Sequence, residues 1–445
     1  METVSIIGLG KLGAPMAAVY GSKGYKVIGV DRNPNFVDAI NAGKAPVDEP
    51  LLQDYIDKSQ GRLRATLSTE EAVLGSSVTF VIVPTPSGPD GTFTNKYVIE
   101  ALREIGAALR KKDTYHLVVV TSTVMPGSTN GEIRQALEQA AGKKVGQALG
   151  LCYSPEFIAL GSVVRDMLNP DFFLIGESDE KAGAMLESIY LKACDNQPRV
   201  ERMNCVNAEL TKISINTYVT TKISYANMLS EVCDYLDGAD VDVVTQAVGC
   251  DSRIGHKYLK GGVAYGGPCF PRDNVAFSKL AHNLGAHSDL AESTDTINKA
   301  QRDRVLKIMN QHGLKTGSVG ILGLSYKPGT PVIEESQGIS LAVLLTKAGR
   351  DVVVFDPLAM APAKAVLVDT VTYADSLNTC LNQCSTLVLM TAWPEFKTIS
   401  PELLKGKTVI DCWRVLKQDL YPETHILYLG NGVLVNQSQK IALEA

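Results

Sequence analysis

This sequence is poor in the features that mark whole classes of protein. Its nine cysteines are odd in number and form no C-x-x-C pair, so reduced thiols in a cytoplasmic protein are expected. Cys380 and Cys384 have the only close spacing, and the histidines (His116, His256, His282, His287, His312 and His425) are scattered, so no metal site is expected. Lys and Arg number 43 against 48 Asp and Glu, a net charge of −5. That balance argues against a nucleic-acid or acidic-membrane partner, while leaving room for an anionic ligand held by local donors. No run approaches the ~20 apolar residues of a membrane span. The apolar N-terminal stretch is broken by Gly8, Gly10 and Gly13 and lacks the basic leader of a signal peptide. What remains is an ordinary soluble composition, 45% hydrophobic and 20% charged, on a chain of 445 residues, too long for one core.

Short β-branched runs at Val4–Ile7, Val27–Val30, Val78–Val83, Leu117–Val120, Gly150–Tyr153 and Phe172–Ile175 read as strands buried on both faces. Helical periodicity between them, as in Lys96–Arg110 and Gly131–Ala141, predicts a doubly wound parallel sheet. Val206 to Leu236 reads as one long helix, with Leu210, Ile213, Ile223, Ala226, Leu229, Val232 and Leu236 as its apolar stripe. The α/β alternation resumes at Val319–Leu322, Val352–Phe355, Thr386–Met390 and Thr408–Ile410, a second Rossmann-like unit. Asp356 ends its second strand as Asp31 ends that of the first, yet Gly320–Leu324 lacks the dinucleotide glycine spacing. The expected fold is α/β: two Rossmann-like doubly wound domains, residues 1–204 and 306–445, joined by a long central helix in a helical middle domain, 205–305.

Gly8-Leu9-Gly10-Lys11-Leu12-Gly13 follows a strand and opens a helix, and Asp31 closes the next strand about 20 residues on. Glycines there permit a tight turn and bring backbone N–H groups to a pyrophosphate at the helix N-terminus. Asp31 would accept from a ribose 2′-hydroxyl and repel a 2′-phosphate, favouring NAD, with Arg32 beside it softening that preference. Val83-Pro84-Thr85-Pro86 and Ser122-Thr123 also follow strands, at the sheet edge where open α/β folds bind ligands. Glu156, in Ser154-Pro155-Glu156-Phe157, is either a solvated loop carboxylate or a general base for water. Lys212 and Asn216, four apart, share one helix face; spacing leaves open whether they are a surface pair or an oxyanion-stabilising lysine with its neighbour. Gly266-Gly267-Pro268-Cys269-Phe270-Pro271-Arg272-Asp273 sets a thiol in a Gly/Pro turn with a carboxylate four residues on. Hydride transfer alone needs no nucleophile. A thiol beside a dinucleotide fold suggests oxidation through a covalent aldehyde adduct, ending at an acid.

In order along the chain, these motifs resemble the UDP-glucose/GDP-mannose dehydrogenase family, most closely its UDP-glucose 6-dehydrogenase branch. The resemblance covers about residues 1–415. It rests also on Ala208-Glu209-Leu210-Thr211-Lys212, Arg253-Ile254-Gly255, Lys260 to Cys269, Leu322 to Pro328 and Thr391-Ala392-Trp393. It implies an NAD domain, a helical dimerisation core giving a homodimer, a UDP-binding third domain, and a product used in nucleotide-sugar metabolism and polysaccharide biosynthesis. Carried over, Cys269 is the nucleophile; Lys212 and Asp273, with Asn216, move protons and stabilise charge; Thr123 and Glu156 hold water. Arg253 reaches the substrate, often from the partner subunit. Phe157, Ile158, Tyr258, Lys260, Gly266, Tyr326 and Lys327 line the UDP-sugar, while Leu12, Thr85, Pro86 and Lys327 join the glycines at the cofactor. The chain departs from the family at Leu160 (usually Glu), Arg272 (usually Lys), Glu334 (usually Arg) and Pro84 (commonly Gly).

Two other functions fit parts of the chain. Gly8 to Met16 also resembles the opening of two-electron β-hydroxyacid dehydrogenases, which need a lysine but no thiol. A nucleotide-sugar sensor that kept the fold without catalysis is the other. Two NADH per substrate, against one or none, separates the three.

Overall fold

The computed structural model describes residues 2–435, so the last ten residues of the expected third domain lie outside the described residues. The chain divides into two compact units, at Ser214 and Ile215. The first holds an eight-stranded sheet of β1 (Thr3–Ile7), β2 (Lys26–Val30), β3 (Leu63–Thr66), β4 (Val78–Val81), β5 (His116–Val120), β6 (Leu149–Tyr153), β7 (Phe172–Glu177) and β8 (Arg199–Asn204). Its strand order is β3-β2-β1-β4-β5-β6-β7-β8. The first six follow the Rossmann order, which reverses direction between β1 and β4. Strands β4, β5 and β6 are buried along their whole length, as their largely apolar sequence demands, and the two polar residues in β4 and β5, Thr79 and His116, bond to each other at 2.7 Å.

The sheet is not wholly parallel. Strand β7 pairs antiparallel with β6, Cys152 opposite Glu177, and β8 then runs parallel to β7. Residues Arg199–Asn204 are charged and partly exposed because β8 is the edge strand, where charge discourages pairing with another chain.

The second unit holds β9 (Val319–Leu322), β10 (Val352–Phe355), β11 (Thr372–Tyr373), β12 (Thr386–Leu389), β13 (Thr408–Asp411) and β14 (His425–Tyr428). Their order, β11-β10-β9-β12-β13-β14, repeats that of the first six strands of unit one, and every pair is parallel. Both α/β units are therefore Rossmann-like, as the strand pattern predicts.

The long helix spans Cys205–Asp234 without a break. Its expected apolar stripe is only partly the buried one: Leu210, Val232 and Leu236 are exposed. The face buried in the second unit is polar instead, made of Thr217, Thr220, Ser224, Asn227, Ser230 and Asp234. Ser224, Ser230 and Asp234 are met by a second polar face on the helix Asp289–Gln311, while Thr220 donates to Thr217 O at 2.8 Å and Asn227 bonds the backbone of Gly262 and Val263. Ser224 donates to Thr294 O at 3.2 Å, and Arg304 donates to Ser230 Oγ at 2.8 Å and to Asp234 at 2.6 Å. Buried polar groups paired across two helices in this way favour one arrangement where apolar side chains would allow several. No helix among the described residues is long and apolar enough to cross a membrane.

Candidate active site

The fingerprint turn after β1 has the shape a dinucleotide needs, and its three glycines do different work. Gly8 has φ +100°, and a Cβ there would lie 2.0 Å from Ile82 O; one on Gly13 would lie 1.8 Å from Gly8 O. Both therefore permit the helix Gly13–Ser22 to start against the sheet. A Cβ on Gly10 would meet nothing within 4 Å, so this glycine leaves open the side that a pyrophosphate occupies. Asp31 locks the turn, its Oδ2 accepting the Leu9 N–H at 2.7 Å and its Oδ1 that of Asn33 at 2.8 Å. A carboxylate keeps acceptor capacity after two such bonds, so a ribose hydroxyl can still be held. Arg32 is bound to Glu100 at 3.2 Å and Glu104 at 3.1 Å, which offsets its charge beside Asp31. Leu12 is half-buried at the start of the helix. Beyond β4, buried Thr85 donates to Thr123 O at 2.7 Å, tying together the two loops that end β4 and β5, and Pro86 is exposed next to it.

Glu156 follows β6 and is half-buried, not solvated. Burial pushes its carboxyl pKa up to about 7, with the Lys212 charge pulling the other way. Lys212 is itself buried: its ammonium donates to Glu156 O at 2.6 Å and stands 4.5 Å from the Phe157 ring centroid. The surface-pair alternative for Lys212 is thereby excluded. Phe157 in turn packs on Phe172 at 4.9 Å. Ile158 and Leu160, both half-buried, pack against the hydrophobic core of this unit, so Leu160 replaces a carboxylate with a core contact.

In the second unit Cys269 is the N-cap residue of the helix Phe270–Asn283, and its thiol is exposed. Pro271 fits the first turn, where its missing N–H costs nothing. A helix N-terminus favours negative charge, and Cys269 stands at one. One turn on, Asp273 is 1% exposed and accepts from Asn216 Nδ2 at 2.6 Å. Arg272 lies 3.4 Å from the other oxygen of that carboxylate. Gly266 and Gly267 are required by close approach: a Cβ would lie 2.3 Å from Glu335 O at the first and 2.6 Å from the Tyr326 ring at the second, where φ is +89°. Tyr326 is thus placed against the cysteine loop, and half-buried Lys327 stands 5.7 Å from its ring centroid. Arg253, Tyr258 and Lys260 are exposed; Arg253 pairs with Asp251 at 2.6 Å.

The switch point of the second sheet is built like that of the first but used differently. A Cβ on Gly338 would lie 2.0 Å from Gly323 O, the same approach as between Gly13 and Gly8. Between these two glycines run fourteen residues, Leu324–Gln337, in place of four. The carboxylate of Asp356 is consumed by the turn itself, one oxygen accepting from Leu324 N, Ser325 N and Trp393 Nε1, the other from Leu358 N and Ala359 N. It does not repeat the arrangement of Asp31, whose oxygens accept from Leu9 N and Asn33 N.

Two carboxylates important to these loops were given no role by the motif analysis. Glu209, fully buried, accepts from Gly127 N at 2.6 Å and Thr129 N at 2.7 Å, holding the loop that carries Thr123. Glu49 accepts from Gly161 N at 2.9 Å and Val163 N at 2.8 Å, anchoring the far end of the Glu156 loop. The signal for Glu209 was its place in the central-helix motif Ala208–Lys212, which does not say what it binds. Nothing near Glu49 in sequence points to a loop more than a hundred residues away.

Family models agree with this geometry. The models described as the UDP-glucose/GDP-mannose dehydrogenase family NAD binding, central and UDP binding domains match residues 2–194, 206–300 and 320–418. The chain is 35% identical over 419 residues to the UDP-glucose 6-dehydrogenase AglM of Haloferax volcanii, covering 93% of this chain and 97% of that one. It is 32% identical over 427 residues to the GDP-mannose 6-dehydrogenase of Azotobacter vinelandii, covering 92% and 95%. The solved UDP-glucose dehydrogenase of Pyrobaculum islandicum superposes with a TM-score of 0.89 at 35% identity, covering 98% of each chain. With its dinucleotide turn intact and NAD as its cofactor, the chain belongs to the UDP-glucose/GDP-mannose dehydrogenase family.

Proposed function

We propose that this enzyme oxidises the C6 alcohol of a UDP-hexose to the uronic acid in two successive two-electron steps, with UDP-glucose as substrate and UDP-glucuronate as product. The observation that carries this reading is the exposed Cys269 thiol at a helix N-terminus, with the buried Asp273–Asn216 pair one turn away. NAD supplies the hydride acceptor when bound. Lys212 offers an ammonium to the oxygen that gains negative charge as the sugar is oxidised and attacked. The Cys269 sulfur adds to the aldehyde carbon, forming the C–S bond of a thiohemiacetal, whose oxidation leaves a thioester. Glu156 and Thr123 orient the water that breaks this bond and returns the thiol. Asp273, held by Asn216, serves the proton traffic at the sulfur and oxygen. Phe157, Ile158, Tyr258, Lys260, Gly266, Tyr326 and Lys327 line the nucleotide-sugar, and Arg253 reaches it from a partner subunit.

UDP is favoured over GDP by the match of residues 320–418 to a UDP binding domain, although the Azotobacter vinelandii relative is a GDP-mannose enzyme. A panel of UDP-glucose, UDP-galactose, UDP-N-acetylglucosamine, UDP-N-acetylmannosamine and GDP-mannose tests the substrate. The highest kcat/KM is expected for UDP-glucose, with two NADH per uronate formed. One NADH per substrate would overturn the four-electron mechanism, and a preference for GDP-mannose would overturn the nucleotide.

The division into an NAD domain (1–204), a helical core (205–305) and a UDP domain (306–445) is part of the same reading, as is a cytoplasmic location. So is a homodimer. Tyr218, Tyr225, Met228 and Val232 recur along the long helix, with Leu236 just beyond its end, and each is more than a third exposed. A continuous exposed apolar stripe of this kind marks an association surface, and a second copy of the helix presents the same stripe. Sedimentation should give a dimer at micromolar concentration; a monomer would overturn the assignment and with it the role of Arg253.

A further inference from the structure

The segment leading to Cys269 has no regular secondary structure, and it is buried from Gly261 to Gly267. Buried irregular backbone must find hydrogen-bond partners outside itself. Here the partners come from the polar faces of the two helices described above. Asn227, fully buried, accepts the Gly262 N–H on Oδ1 at 2.9 Å and donates Nδ2 to Val263 O at 3.1 Å. Asn298 grips Tyr265 in the same way, accepting its N–H at 2.9 Å and donating to its carbonyl at 3.0 Å. Each side-chain amide stands in for a neighbouring strand, giving one acceptor and one donor. Two further contacts hold the ends of the segment: Arg414 donates to Gly261 O at 2.6 Å, and Gly267 N donates to Glu334 O at 2.8 Å.

The choice of asparagine is informative. A hydrophobic residue at 227 or 298 would fill the space but leave buried backbone groups unpaired, and aspartate would supply the acceptor without the donor. The backbone positions they grip, Gly262, Val263 and Tyr265, lie four to seven residues before the thiol. The asparagines fix the path by which the loop delivers the sulfur, without touching the sulfur itself.

We propose that Asn227 and Asn298 are positioning residues that hold the nucleophile loop in register, so that the Cys269 sulfur captures the aldehyde before it escapes. This rests on the assignment of Cys269 as nucleophile. Capture forms a C–S bond while the thiol gives up its proton and the carbonyl oxygen gains one. Hydride loss to NAD then makes the thioester, and water splits the C–S bond to return the thiol and release the acid. A loop free to wander slows only the first of these events. The aldehyde then leaves with one electron pair removed, and one NADH is made without a uronate.

The test compares NADH formed with uronate formed in Asn298→Asp and Asn227→Asp, with a hydrazine reagent present in parallel assays to trap free aldehyde. The wild type should give two NADH per uronate and no trapped aldehyde. In the variants uronate formation should fall about ten- to a hundredfold, the scale of a misplacement of roughly 1 Å. The NADH-to-uronate ratio should rise above two, aldehyde should be trapped, and the KM for NAD should stay unchanged. A loss of folded protein lowers both products together and leaves the ratio at two. If the aspartate variants do not fold, Asn298→Gln decides, because it keeps both hydrogen-bonding groups but moves them by one methylene. Variants that hold a ratio of two and release no aldehyde overturn the positioning role. A wild type that makes one NADH per product, with Cys269 never acylated, overturns the nucleophile assignment instead.

Discussion

Cys269→Ser should lower uronate formation to about a thousandth of the wild-type rate or less, while binding of NAD and nucleotide-sugar stays within a few-fold. The sulfur of Cys269 is exposed at the N-terminus of the helix Phe270–Asn283, so a hydroxyl fits the site without disturbing the fold. The chemistry is what changes. A serine hydroxyl is almost wholly protonated near neutral pH, and an oxygen ester hydrolyses more slowly than a thioester, so both capture and release suffer. A thousandfold loss corresponds to about 4 kcal/mol of transition-state stabilisation. The loss should be confined to the second half of the reaction. Rapid-mixing experiments should therefore show an initial phase of about one NADH per site, after which NADH tracks the release of free aldehyde and not the formation of uronate. A variant that keeps more than a tenth of the wild-type rate would show that the thiol is structural, whatever its surroundings suggest.

The features legible in the sequence were those with local causes. Strands β4, β5 and β6 are largely apolar because both faces are covered, and such runs are read without difficulty. The glycines at 8, 10 and 13 and the Gly/Pro turn before Cys269 are legible as local patterns, although Gly8 makes room for Ile82 and Gly266 and Gly267 for Glu335 and Tyr326, far along the chain. What stayed hidden depends on partners far away. Strand β8 is charged because it is an edge, and that pattern does not announce a strand. The antiparallel step at β7 leaves no trace in the composition of Phe172–Glu177. Periodicity analysis weighs apolar positions, so it chose Val232 and Leu236 as the inner face of the long helix when Asn227, Ser230 and Asp234 are the buried ones. Asn227, Asn298, Glu49 and Glu209 all act on backbone N–H or carbonyl groups tens of residues distant, and no local motif encodes that choice.

Glu156→Gln should lower turnover about a hundredfold or more, the usual contribution of a positioned general base. It should also make the enzyme more stable above pH 7. Both effects follow from one property: burial pushes the Glu156 carboxyl pKa up to about 7. A base must be ionised to take a proton from water, so wild-type turnover should rise with pH, level off above about 7, and fall nearly tenfold for each pH step below it. Glutamine cannot titrate; that acid limb should disappear, and the thioester on Cys269 should accumulate, visible as an added mass on the intact protein. The sign of the stability effect is the opposite of the usual carboxylate case. Because the folded state holds this proton more tightly than the unfolded chain, stability is lost as pH rises from the ordinary carboxylate range through 7. Above that, the ionised group is an unfavourable charge that the fold tolerates, on the order of 2 kcal/mol after allowing for its partial exposure. At pH 8, then, Glu156→Gln should unfold at higher urea concentration than the wild type, and at pH 4.5 the difference should vanish. A residue that merely packs would lose activity and stability together. A variant that keeps its acid limb, or is destabilised at pH 8, would remove Glu156 from the chemistry.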